Sequence, residues 1–113
     1  MAPALPARPE ATIGVEVCCV CDVTFVLDAY HHFEWPGRML DVMKADTRRD
    51  GRLVIVDWYR RQDEIFDMWK IDAVRHLRLD VYGVIDEVAA HGWNHAGTRR
   101  FLEHQFLAVF TPR

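Results

Sequence analysis

Apolar residues along the chain fall into runs of different period, and the periods predict the elements. Val23, Phe25, Val26 and Leu27 form one nearly continuous run, and Leu53, Val54, Ile55 and Val56 form another. Short continuous runs of this kind read as parallel strands covered on both faces by helices. Between them, Met39, Leu40 and Met43 make one stripe of an amphipathic segment. Pro36 suits the first turn of that helix, because its fixed φ fits and its missing N–H costs nothing there, and Glu34 stands where the positive end of a helix favours a carboxylate. Arg48 and Arg49 are placed at the helix end, and Gly51 is placed in the turn into the second strand. A strand, a crossover helix of about 14 residues and a parallel strand make a βαβ unit, for which a right-handed connection is the default.

The period is less clear after Asp57. Ile65, Phe66, Met68, Trp69 and Ile71 fit either a short helix or a packed loop. A helix follows over residues 81–91, with Asp80 as N-cap, Val81, Val84, Ile85, Val88 and Ala89 on one face, and Gly92 as the stop. Gly83 weakens it by about 1 kcal/mol relative to alanine. Two last strands are expected over residues 93–99 and 105–110. The few residues between them leave no room for a crossover, so they pair as an antiparallel hairpin. A first strand over residues 15–28, broken near Cys21, completes the order. The expected architecture is α/β: four or five strands, mostly parallel, with helices on both faces.

Composition narrows the class. With 113 residues, 50% hydrophobic and 27% charged, the chain has the make-up of one ordinary globular domain. A net charge of -3 disfavours a nucleic-acid partner bound through phosphate neutralisation. No apolar run approaches the roughly 18 to 20 residues needed to span a bilayer, so no membrane partner is expected. Pro3, Pro6 and Pro9 without an apolar stretch read as a flexible lead-in over residues 1–11, followed by a single domain over residues 12–113. The cytoplasm is the default address. Cys18, Cys19 and Cys21 fit a reducing compartment. Their CCxC spacing matches no structural zinc pattern, so strand thiols are the expectation and no metal is assigned.

Four segments in order carry a family resemblance: Asp28-Ala29-Tyr30-His31-His32-Phe33-Glu34-Trp35-Pro36, then Gly51 to Asp57, then Gly92-Trp93, then Phe106 to Phe110. Together, over about residues 20 to 113, they resemble the carboxyl-terminal half of a class I S-adenosylmethionine-dependent methyltransferase. The resemblance is to the small-molecule, type 11 group that includes ubiquinone and menaquinone biosynthesis enzymes. It implies a Rossmann-like sheet with a reversed last strand, a truncated form of the family's sheet. It also implies S-adenosylmethionine as cofactor and a small-molecule acceptor as partner. The glycine-rich turn that grips the cofactor in this family has no counterpart, because Gly14 is the only glycine before Gly37. Whether the cofactor binds therefore stays open.

The candidate site is the loop after the first core strand. The resemblance places Asp28 against the cofactor, with His31 and Tyr30 as catalytic candidates and His32 against the acceptor. Trp58 and Tyr59 follow the carboxyl end of the second strand, where open α/β sheets hold ligands, and are substrate candidates. Imidazole is the side-chain type suited to act as a base near neutral pH, which makes His31 the base candidate. The structural alternatives are equally concrete: His31 and His32 packed in a turn, Asp28 and Asp57 anchoring loops, and Trp58, Tyr59 and Trp69 in a core or interface. Three functions follow. One is a methyltransferase homologue whose missing half comes from another chain or was lost. Another is a non-catalytic dimerising or binding module. The third is an enzyme of another class with a pocket at a dimer interface. An edge strand near residue 25 that lacks its outer neighbour favours a homo-oligomer, unless residues 12–21 fold back over it.

Overall fold

The computed structural model describes residues 20–61, 65–66 and 71–113. The lead-in over residues 1–11, the start of the first strand, Cys18 and Cys19, and Met68 and Trp69 lie outside the described residues. Cys21 is exposed, with a free thiol.

Two continuous apolar runs become neighbouring strands. Strand β1, Cys21–Leu27, pairs in parallel with β2, Thr47–Trp58, through Val26 opposite Ile55 and Leu27 opposite Val56. Helix α1, Pro36–Asp46, connects them with Pro36 in its first turn, and buries Leu40 and Met43 while Met39 stays 39% exposed. The helix ends earlier than the Arg48-Arg49 pair suggests, because Thr47 is already strand. Its buried hydroxyl donates to the Met43 carbonyl at 2.6 Å and meets the Thr24 hydroxyl at 3.0 Å, closing the helix end and opening the strand at once. Gly51 accordingly lies inside β2 and not in a turn. The register slips between Cys21 and Val23, and a β-carbon on Gly51 would stand 2.7 Å from the Asp22 carbonyl oxygen. Close approach, not backbone conformation, requires the glycine there.

The ambiguous stretch contains a small antiparallel pair, β3 (Ile65–Phe66) with β4 (Ile71–Asp72), and a single helical turn, α2 (Ala73–His76). Helix α3, Val81–Ala89, buries Val81, Val84 and Val88. Asp80 occupies its N-cap position without a side-chain capping bond, and Gly92 has φ +92°, the conformation expected of the stop. The expected closing hairpin is present: β5 (Trp93–Leu102) pairs antiparallel with β6 (Gln105–Pro112).

The sheet order is β1-β2-β6-β5, with β6 running against the other three strands. The connection from β1 to β2 and the one from β2 to β5 step the same way across the sheet. Crossovers of one hand that step the same way lie on one face. Helices α1 and α3 accordingly share a face, where Leu40, Val84 and Val88 join Ile55, Phe106 and Phe110 in one core cluster. Trp93 is fully buried beneath them, and its indole N–H donates to the Leu40 carbonyl at 3.4 Å. The expectation of helices on both faces does not hold among the described residues. On the opposite face Phe25 is 67% and Leu27 61% exposed. No described helix is long and apolar enough to cross a membrane.

Candidate functional site

The carboxyl ends of β1 and β2 meet the start of β6, because β6 is reversed and Trp58 pairs with Gln105. Asp28 leaves β1 with φ 56°, the only described non-glycine residue in the left-handed region, where aspartate is better tolerated than most. Its amide N–H donates to the Val56 carbonyl at 2.9 Å, and the side-chain amide of Gln105 donates to its carboxylate. Burial, then the Asp57 charge, raises the Asp28 pKa, while the Gln105 bond and His31 act in the opposite sense. The chain then makes a 3₁₀ turn, Tyr30–His32.

Asp57 is the centre of the site. It is 2% exposed, and its carboxylate accepts from the His31 amide at 3.0 Å, from the Trp58 amide at 2.9 Å and pairs with His31 Nδ1 at 2.7 Å. A buried carboxylate facing Nδ1 favours a proton on that nitrogen, so in the neutral ring the lone pair lies at Nε2. His32 and His76 stand against this ring, with centroids 4.1 and 5.0 Å from that of His31 and 5.4 Å from each other. Burial, then His31 and His32, lowers the His76 pKa, and Asp57 acts to raise it. The segment carrying His76 is tied to the end of β2 by Arg60, whose guanidinium donates to the carbonyls of Leu77 at 2.8 Å and Val74 at 3.0 Å.

The remaining candidates take distinct positions. Tyr30 is 1% exposed, and its hydroxyl donates to Glu87 of α3 at 2.7 Å, which fastens the turn to the helix layer. Burial, then Glu87, pushes its pKa far upward. Trp58 is half-buried beside Asp57, and its ring stacks on His104 at 6.5 Å. Tyr59 packs edge-on against Phe106 at 5.7 Å, beneath the Arg61 guanidinium at 4.1 Å. The fold thus brings Asp28, His31 and His32 to one edge with Trp58, and turns Tyr30 inward. Sequence reasoning left two residues of the cluster without a functional role. Asp57 carried a signal, as an acid ending a buried apolar strand. His76 carried none, since only the tertiary fold brings it to His31.

S-adenosylmethionine can be tested against this geometry. The Asp28 carboxylate is engaged by Gln105, and the enclosed space between Tyr30, His31, Asp57 and Phe106 is about 10 Å³. That holds about one water, against the roughly 300 Å³ or more of small-molecule pockets. At this edge the described residues enclose no space for a nucleoside-sized cofactor.

No family model matches the chain, and no curated protein matches it. Solved structures do. A protein assigned as a type 11 methyltransferase from Sulfolobus solfataricus superposes with a TM-score of 0.65 at 15% identity, over 81% of this chain and 50% of that one. CalO1, a methyltransferase of calicheamicin biosynthesis solved with S-adenosylhomocysteine, gives 0.64 at 14% identity, over 81% and 30%. The chain carries part of the methyltransferase fold. It is an α/β, Rossmann-like sheet, and it spans half or less of these neighbours' lengths. A protein described as a pericyclic reaction enzyme superposes to the same degree, with a TM-score of 0.64 at 12% identity over 84% of this chain and 27% of its own. At these identities the likeness concerns the fold alone.

Proposed function

We propose that this chain is a methyltransferase-like protein that supplies the acceptor side of a small-molecule methyl-transfer site, with His31 as its proton acceptor. The observation that carries the reading is the buried Asp57 carboxylate on His31 Nδ1, 2.7 Å away, at the edge where α/β sheets hold ligands. An acceptor hydroxyl or amine reaching His31 Nε2 would give up its proton there. Asp57 would stabilise the imidazolium as it forms and keep the ring in the productive tautomer. Asp28 and His32 flank that position, Trp58 borders it, and Tyr30 positions the turn through Glu87. S-adenosylmethionine is the cofactor the fold suggests. Because the described residues enclose no space for it at this edge, its grip is assigned to a complementing chain or a second copy, and only the proton step is derived for these residues.

A second reading has its own observation. Phe25 and Leu27 are exposed on an edge strand, which suits a non-catalytic dimerising module. Isothermal titration of the full chain with S-adenosylmethionine separates the two. Heat in the micromolar range, and release of S-adenosylhomocysteine that falls about 100-fold or more in a folded His31→Ala variant, are the expected results. A folded chain that gives no heat at millimolar cofactor overturns a grip supplied by a second copy and favours the non-catalytic module for the chain by itself.

A further inference from the structure

We propose that His31, His32 and His76 form a three-histidine site for a divalent transition-metal ion of the zinc class. The three residues come from two separate elements, the 3₁₀ turn after β1 and the end of α2. One ring nitrogen from each lies within 4.8 Å of the others. Histidine nitrogens sit about 2.0 to 2.1 Å from zinc, so in a tetrahedral site they stand about 3.3 Å apart. The cluster needs a convergence of at most about 1.5 Å, which falls within the reach of side-chain rotation of His32 and His76 together.

A second, independent observation points to a ligand. Imidazoles that bind metal generally donate their other N–H to a carboxylate or carbonyl, which fixes the ring and raises its basicity. His31 has that arrangement already: Nδ1 is held by Asp57 at 2.7 Å, and Asp57 is itself fixed by the His31 and Trp58 amides. Nε2 is the atom left for an ion. Tilted and edge-to-face packing of three rings alone would not require a buried carboxylate behind one of them. The charge also suits a cation, since Asp57 is 2% exposed and Asp28 lies close enough to interact with it. Three neutral nitrogen donors without thiolate favour zinc, cobalt or nickel over magnesium or calcium, and leave a fourth position for water or a ligand oxygen.

The inference is independent of the methyltransferase reading and would hold if no cofactor binds. It does constrain that reading. Nε2 of His31 can hold an ion or accept a proton, but not both, so a loaded site would inhibit any reaction that uses His31 as base.

The test uses the full chain, freed of metal with a chelator and titrated with Co²⁺ and then Zn²⁺. The expected result is one ion per chain with the visible absorption of a tetrahedral nitrogen site. His32→Ala and His76→Ala should each weaken binding at least about 10-fold, and Asp57→Asn about 10- to 100-fold. His95→Ala, away from the cluster, should leave it unchanged. Thermal melting without metal shows that each variant folds, and addition of zinc should raise the melting temperature of the unsubstituted chain and of His95→Ala, and raise it less or not at all in the His32, His76 and Asp57 variants. No saturable binding, binding undiminished in His76→Ala, or a thiolate-to-cobalt charge-transfer band placing the ion on Cys18, Cys19 or Cys21 would each overturn the proposal.

Discussion

Tyr30 illustrates how one side chain connects the site to the core. Its ring is buried in the cluster under α3, and its hydroxyl reaches Glu87, which also takes a two-pronged contact from Arg78 at 2.8 and 3.2 Å. Burial works to raise the Glu87 pKa, but the hydrogen bonds from Arg78 and Tyr30 outweigh it, so the carboxyl lies below its ordinary 4.5. A lowered acid contributes stability that is present above its unfolded value and lost as pH falls through its folded value. Tyr30→Phe removes one of those donors while leaving the ring. It should cost about 1 kcal/mol in urea denaturation at neutral pH. The loss of stability in acid should be smaller in this variant and should level off at higher pH than in the unsubstituted chain, because the folded-state pKa of Glu87 moves back toward its unfolded value. An acid limb that does not move would show that Arg78 alone holds Glu87 ionised.

Two glycines separate room from conformation at the scale of the strands. A β-carbon at Gly51 would meet the Asp22 carbonyl oxygen at 2.7 Å, Thr47 Cγ2 at 2.8 Å and the Arg48 carbonyl oxygen at 3.0 Å, and backbone cannot swing aside. At Gly97, on β5, a β-carbon meets nothing within 4 Å. Gly51→Ala should therefore destabilise by about 1 to 3 kcal/mol, while Gly97→Ala should be neutral or gain up to about 1 kcal/mol from the less flexible unfolded chain. Paired thermal melts check both. The same strands show what was readable beforehand. The continuous runs at Val26 and Ile55 and the short gap before Gln105 announced the parallel pair and the hairpin, because burial on a sheet dictates those patterns locally. The helix end was misplaced because Arg48 and Arg49 look like a helix terminus, whereas the strand starts at Thr47 through contacts to Thr24 that no local pattern reveals. His76 was unreadable for the same reason. Its place beside His31 is set by Arg60 gripping the Val74 and Leu77 carbonyls, a long-range interaction.

For the molecule as a whole, the described helices cover one face of the sheet and leave the other open among the described residues. Helices α1 and α3 cover Ile55, Phe106 and Phe110, whereas Val23, Phe25 and Leu27 point away from them at 44%, 67% and 61% exposure. These three sit on β1, the outermost of the described strands on that side, so among the described residues apolar side chains and a row of backbone donors and acceptors coincide at one edge. Such an edge is a template for pairing with another strand, and natural sheets usually protect it with charge, proline or a bulge. Here the irregularity at Cys21 protects only the beginning of the strand. A second copy joining along β1 would pair the backbone and bury the three side chains together, which is the self-complementary geometry of a two-fold dimer. Sedimentation at micromolar concentration should give at least twice the 13.2 kDa chain mass. Phe25→Lys combined with Leu27→Lys should shift the protein to a monomer that still melts cooperatively, because both side chains lie outside the helix-covered core, at a temperature lowered by the loss of the partner. A well-behaved monomer from the unsubstituted chain would instead mean that the chain covers its own edge, and the cofactor grip would then have to come from a different polypeptide.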